Sequence, residues 1–208
     1  MLDSNKLDIT VSLVALMVSC AVAALVSFFV WVFPNFFSVA EIRAASHAVP
    51  YTGLELAGRD IYIREGCSYC HTQMVRPIEE DVLRYGPATK EEDDIYEYTH
   101  LWGSKRTGPD LTNIGLKYSD QWHEQHLRNP QRMVARSIMP PYPWLFNAMV
   151  SPEDVMKKMI AMRRLGVPYS DDDISQAKLE VKNQTEADAL IAYLQSLKPT
   201  IDSHEVNR

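Results

Sequence analysis

Between Ile9 and Phe37 the chain carries no charged side chain. The centre of this run, VSLVALMVSCAVAALVSFFVWVF from Val11 to Phe33, is apolar on every face. A helix crosses the hydrocarbon core of a bilayer with about 20 apolar residues at roughly 1.5 Å each, so this segment is long enough to span with some tilt. A helix at the surface of a soluble domain keeps a polar face, which this one lacks. The core of a secretory signal is shorter, about 7–15 residues, and the small-residue stretch Ser46-His47-Ala48 lies well beyond the apolar run. The expectation is a retained single-pass anchor. Trp31, Phe33, Phe36 and Phe37 gather at its C-terminal end, where an interfacial aromatic belt belongs. Pro34 ends the helix or breaks its last turn. Lys6 before the span is offset by Asp3 and Asp8, and Arg43 follows it, so charge alone gives only a slight lean to a cytoplasmic N-terminus.

The whole chain of 208 residues has room for the anchor and one further domain. Its formal net charge of −6 and the absence of a basic stripe exclude a nucleic-acid partner. Three cysteines are too few for a disulfide scaffold, and Cys20, inside the apolar run, reads as a small hydrophobe. The rest is all-α in pattern. A tail at 1–10 and a span at 11–33 precede a linker at 34–53 containing Pro34, Pro50 and Gly53. Leu54, Ala57 and Ile61 set a helix from Leu54 to Glu65, interrupted by Gly66. Thr72 to Arg106 shows little periodicity and reads as a long loop with an acidic run, Glu91 to Asp94. Arg106 to Gly115 is rich in turn residues. Ser119 to Leu127 forms a helix that stops before Asn129-Pro130. Ser137 to Leu145 holds too much proline for one. Ser151-Pro152-Glu153-Asp154 opens a helix to about Leu165, and Thr185 opens the last, to about Leu197, before a tail at 199–208.

The chemistry concentrates in Cys67-Ser68-Tyr69-Cys70-His71. On a helical turn, positions i, i+3 and i+4 share one face, so two thiols and an imidazole approach one flat object together. Cys-x-x-Cys-His is the attachment signature of c-type haem: both sulfurs bond to the haem vinyl groups and the histidine ligates iron. A structural zinc site needs four ligands. The other candidate pair, His123-x-x-His126, sits on an amphipathic helix and reads as surface or core histidine. A redox dithiol favours a strand-to-helix setting, whereas the segment before Cys67 is helical in pattern. An electron carrier usually closes the second face of its iron with methionine. Among nine methionines, Met74 is too near His71 to cross the ring, and Met156, Met159 and Met162 recur at core spacing. Met139, ahead of Pro140-Pro141 in a loop that cannot coil, is the favoured ligand, with Met133 and Met149 as the others.

From Leu54 to Leu197 the chain resembles a class I cytochrome c. The resemblance is carried by a first helix with Gly58 and Tyr62 ahead of CSYCH, by TGPDL, by the Met139 loop and by a last helix, EADALIAYLQSLK. It implies that the first and last helices cross, with Gly58, Tyr62, Leu190, Tyr193 and Leu194 at the contact. It also implies that the Pro109 carbonyl accepts the ring N–H of His71, fixing the tautomer. The chain departs from the small family in its anchor and in a long insert between His71 and Pro109. With GCSYCHTQMVRP, WGSKRTGPDL and SIMPPYPWL, nearly the full length is similar to the mono-haem subunit II of cbb3-type cytochrome c oxidase.

That resemblance implies a haem domain at 54–198 carrying an insert at 72–106. It also implies one covalent haem c held by Cys67 and Cys70, with His71 and Met139 as axial ligands. The chain is then the electron-transfer subunit of an oxidase complex and not catalytic alone. Electrons come from a di-haem cytochrome c subunit or, indirectly, a soluble cytochrome c, and pass to the b-type haems of the oxygen-reducing, proton-pumping subunit. The implied location is the bacterial inner membrane, with the N-terminus cytoplasmic and the haem domain periplasmic. Arg76, Trp102 and Arg106 offer donors suited to haem propionates. By resemblance, Ser104 offers oxygen to a calcium ion at the interface with the catalytic subunit. The competing readings are a free-standing anchored electron shuttle and the cytochrome c subunit of a nitric oxide reductase.

Overall fold

The computed structural model describes residues 4–37, 48–115 and 117–198. The expected linker between 38 and 47, with Arg43 and most of the small-residue stretch, and the tail at 199–208 lie outside the described residues. The chain forms two compact units, Met1–Ser46 and His47–Arg208. Among the described residues all regular elements are helical, with one isolated bridge between Met149 and Thr185.

The described part of the first unit, residues 4–37, is one long helix. Its α-helical part, α1, spans Ser4–Ser27 and passes into a π-type turn at Phe28–Val32. Ser12–Phe37 is long and apolar enough to cross a membrane, and every side chain along it is exposed, which fits a single-pass anchor. The π turn has a local cause. Pro34 has no N–H, and its ring collides with the carbonyl four residues back in a regular helix. The chain widens ahead of it, the Phe33 N–H donates to Phe28 at 2.9 Å, and Asn35 Nδ2 caps the Trp31 carbonyl at 3.0 Å. Helical bonding then continues past Pro34 to Phe37, so proline deforms this helix and does not end it.

The second unit is built on two helices, α2 (Gly53–Arg64) and α8 (Glu186–Ser196). Thr52 and Glu55 form a reciprocal capping box at the start of α2, and Thr185 and Asp188 do the same for α8. Leu56, Ala57, Ile61 and Tyr62 of α2 and Ala189, Leu190, Tyr193 and Leu194 of α8 bury their side chains in one core. The helices touch backbone to backbone: a Cβ on Gly58 would sit 1.9 Å from the Ala189 carbonyl oxygen. Tyr62 and Tyr193 pack edge to face beneath the contact, centroids 5.5 Å apart.

Around this pair lie α3 (Glu79–Tyr85), α4 (Asp120–Arg128), the short α5 (Pro130–Met133), α6 (Pro152–Arg164) and α7 (Asp171–Glu180). Three of these, α3, α5 and α7, were not read from the sequence. Helix α7 starts at a Ser170–Asp173 capping box and buries Ile174 and Ala177. Helix α3 lies inside the segment expected to be a loop, with Glu79, Glu80 and Asp81 in its first turn, Arg84 in its last, and Gly86 beyond its end at φ 101°. At seven residues it is too short to show a period, but its charges suit its dipole.

Replacing Gly58 with alanine forces apart two backbones that have no flexible side chain between them. Overpacking costs about 1–3 kcal/mol where side chains can give way, and here none can. The expected outcome for Gly58→Ala is a loss at or above the top of that range. It would be seen as a fall of roughly 6–12 °C in the thermal midpoint of the purified chain.

Candidate haem site

Helix α2 ends where Gly66 takes a left-handed φ of 75°, a conformation glycine adopts without steric cost. This turn swings the chain into a tight 3₁₀ turn at Cys67–Tyr69. The Cys70 and His71 amides both donate to the Cys67 carbonyl, at 3.1 and 2.8 Å, which gathers the two cysteines and the histidine on one turn. Both thiols are free, Cys70 exposed and Cys67 half-buried against the core. Burial, then the nearby Glu65 carboxylate, push the Cys67 thiol up to about 11. That is opposite to the lowered pKa of a reactive redox dithiol.

His71 is held from three sides. Its Nδ1 donates to the Pro109 carbonyl at 2.9 Å, leaving the Nε2 lone pair for a ligand. Gly108 lies flat against the ring: a Cβ there would fall 2.3–2.8 Å from three ring atoms. The Tyr62 hydroxyl donates to the His71 carbonyl. The TGPDL loop is pinned by Gly108 N–H to Cys70 O at 2.9 Å and Leu111 N–H to Thr72 O at 3.0 Å. Burial lowers the His71 pKa in spite of the Pro109 bond and the nearby Asp110, which favours the neutral imidazole that binds metal.

His126 was read as an ordinary helix histidine. Its pKa is depressed by burial and then by the charge of His71, which puts the two imidazoles within electrostatic reach. Its Nδ1 is buried without a partner, and Trp122 stacks on the ring at 4.6 Å. His123 is a core residue, 4% exposed. A polar atom buried without a partner near His71 fits a pocket completed by a prosthetic group. Among the described residues no three His, Cys, Asp or Glu side chains are grouped to hold an ion by themselves. Met139 is half-buried against the core, in a loop that returns through a 3₁₀ turn at Pro143–Phe146 and seats Leu145 fully inside.

The structure gives Arg76 and Trp102 partners inside the insert, and Arg106 partners both there and in the TGPDL loop. Arg76 grips Asp81 at 2.7 and 3.0 Å. Arg106 reaches Asp81 at 2.8 Å, Thr72 Oγ1 at 2.6 Å, the Met74 carbonyl at 2.9 Å and Asp110 at 3.2 Å. These two guanidiniums hold the Asp81 carboxyl well below the usual carboxylate range, chiefly through hydrogen bonds. Trp102 donates to Asp94 at 2.5 Å and stacks on His100. Any propionate would be a further partner for side chains that carboxylates already hold. Ser104 is exposed beside them.

The turn, its carbonyl-oriented imidazole and the closely packed pair α2 and α8 define a small all-helical domain built around one Cys-x-x-Cys-His turn, in a chain that also carries an apolar helix. The family model described as cytochrome c oxidase, mono-heme subunit/FixO matches residues 7–189, and the chain belongs to that family. One haem per chain follows from that membership. No curated protein matches the chain.

Asp94 gives the insert a pH response. Burial is the main cause that raises its carboxyl to about 6, against the hydrogen bond from Trp102. The folded pKa exceeds the unfolded value of about 3.9, so the folded state binds the extra proton between those limits. Its contribution to stability therefore falls as pH rises through that window. Asp94→Asn keeps a carbonyl for Trp102 and loses the titration. Thermal midpoints taken from pH 4.5 to 7 are expected to show the variant gaining on the parent as pH rises.

Proposed function

We propose that the chain is the electron-relay subunit of a cbb3-type oxidase, carrying one haem c covalently on Cys67 and Cys70, with His71 and Met139 as its axial ligands. The haem, when bound, supplies one-electron Fe(II)/Fe(III) chemistry at a potential that its ligands set. The observation that carries this reading is the 2.9 Å bond from His71 Nδ1 to Pro109 O, on the same turn as two free thiols. Pro109 fixes the tautomer and increases the basicity of Nε2, while Gly108 sets the plane of the ring. The Met139 thioether would favour Fe(II) and raise the potential. With His71 and Met139 both holding the iron, no position would be left for oxygen, and the chain would hand electrons on. In this reading residues 54–198 are the haem domain and 72–106 its insert.

Electrons enter from a di-haem cytochrome c subunit, or indirectly from a soluble cytochrome c, and leave for the b-type haems of the catalytic subunit. The exposed Trp102, Ser104 and Lys105 stand on the side of the insert we assign to that subunit, where Ser104 can add an oxygen to a shared calcium ion. Residues 1–10 face the cytoplasm and 38–208 the periplasm of the inner membrane, because c-type attachment takes place outside the cytoplasm.

Two experiments test this. Cys67→Ala/Cys70→Ala is expected to lose haem staining on a denaturing gel, since retention there needs the thioether bonds; full staining would remove the covalent assignment. A reporter enzyme active only in the periplasm, fused after Arg208, is expected to be active. Activity from a cytoplasm-only reporter at the same site would reverse the topology.

A further inference from the structure

The segment that carries Met139 is poorly held by its own backbone. Pro140, Pro141 and Pro143 have no N–H to give. Before Met139, Ser137 donates to Val134 at 2.8 Å and the Met139 amide leans on Ser137 Oγ at 3.2 Å. Beyond it, Tyr142 N–H reaches the Leu127 carbonyl at 2.8 Å. The next polar tie to another part of the chain is a side chain: Trp144 Nε1 donates to Glu65 Oε2 at 3.2 Å, 79 residues away in sequence. Glu65 is the last residue before Gly66 and the cysteine turn. Its other oxygen accepts from Arg64 Nε at 2.9 Å, and Arg64 in turn grips Glu186 of α8 with both terminal nitrogens, at 2.7 and 2.5 Å. The Glu65 side chain is only 16% exposed, whereas Trp144 is 49% exposed. About half of the indole is therefore in water, and its polar tie to the rest of the domain is the Glu65 bond. Tyr142 packs edge to face against it at 5.4 Å.

We infer that Trp144 and Glu65 form a latch that closes the Met139 loop onto the haem-attachment turn, making both of them positioning residues for the axial methionine. The inference rests on the reading of Met139 as the ligand. Physically, one end of the latch is the ionised, pre-oriented carboxylate of Glu65. The other is a rigid indole on the loop, so few degrees of freedom are lost when they join. A hydrogen bond to a charged acceptor is stronger than a neutral one. Breaking it favours the open loop, in which the methionine leaves iron and an outside ligand can enter.

The test is titration of the ferric, detergent-solubilised full chain with imidazole, which binds only when the methionine has left. Trp144→Phe keeps the ring and removes the N–H; Glu65→Ala removes the acceptor. Each is expected to tighten imidazole binding about tenfold, equivalent to about 1.4 kcal/mol. The double variant is expected to show little more than either single one, because the two changes break the same bond. Without imidazole, both single variants retain the thioether-to-iron charge-transfer absorption, and Met139→Ala lacks it. Additive effects, or unchanged affinity in both single variants while Met139→Ala responds, overturn the latch. An unaltered spectrum and affinity in Met139→Ala remove the ligand assignment, and the latch with it.

Discussion

The backbone contact between Gly58 and Ala189 is the constraint on which the second unit depends. Only a residue without a Cβ lets α2 and α8 approach this closely. Once they do, the other contacts have fixed places. Tyr62 lies one turn beyond Gly58 on α2, and its hydroxyl reaches the His71 carbonyl. Tyr193, one turn beyond Ala189 on α8, packs on Tyr62 and exchanges hydrogen bonds with Gln73 at 2.9 and 3.0 Å. The residues on both sides of the cysteine turn are thus tied to the crossing. The end of α2 is tied as well, by the paired bonds from Arg64 to Glu186. A shift of either helix would displace the imidazole and the thiols together.

The insert is joined to that crossing by ion pairs in protected positions, which sets it apart from an ordinary surface loop. Arg59 of α2, 1% exposed, holds Glu97 at 2.6 Å and the Thr99 carbonyl at 2.5 Å, and Tyr51 donates to the same carboxylate at 2.5 Å. Arg106 bridges Asp81 of α3 and Asp110 of the TGPDL loop. Buried pairs of this kind add little net stability over apolar packing, but removing one partner costs on the order of 3–5 kcal/mol. Their effect is to specify one arrangement. Asp110 shows why that matters for the haem site: its carboxylate accepts from Met74 N–H at 2.9 Å and Thr112 Oγ1 at 2.7 Å while facing Arg106. The loop that aligns His71 and the insert therefore share a carboxylate.

Local signals were legible where they were strong. Helix α2 was expected over Leu54 to Glu65 and spans Gly53–Arg64; Ser151-Pro152 marks the start of α6, and Gly66 marks the end of α2 with positive φ. The motif residues Cys67, Cys70 and His71 are contiguous, so their grouping could be read directly. What escaped was short or distant. Helix α7 carries Ser170 and Asp173 at capping-box spacing, a readable sign, but only two buried side chains to give it a period. The carboxylate partners of Arg76, Arg106 and Trp102 depend on how the insert folds back, which no spacing encodes. His126 sits among polar helix residues, and only the three-dimensional fold brings it within reach of His71.

The two sides of the proposed haem are held very differently. On the histidine side, a ring hydrogen bond, a glycine in contact with the imidazole plane and two backbone bonds from the TGPDL loop leave no room for rotation. On the methionine side, proline removes the donors that would otherwise anchor the chain, and long-range side-chain contacts replace them. Phe146 lies under the Arg128 guanidinium at 3.6 Å, Leu145 is fully buried, and Trp144 reaches Glu65. In the proposed ligation, the rigid side fixes where the iron lies relative to the protein. The looser side sets how strongly the thioether binds, and through it the balance of Fe(II) over Fe(III). A relay benefits from this division. In that reading the packed helices and the TGPDL loop would set the tunnelling distance, while loop contacts such as Trp144 and Phe146 would adjust the potential without moving the haem.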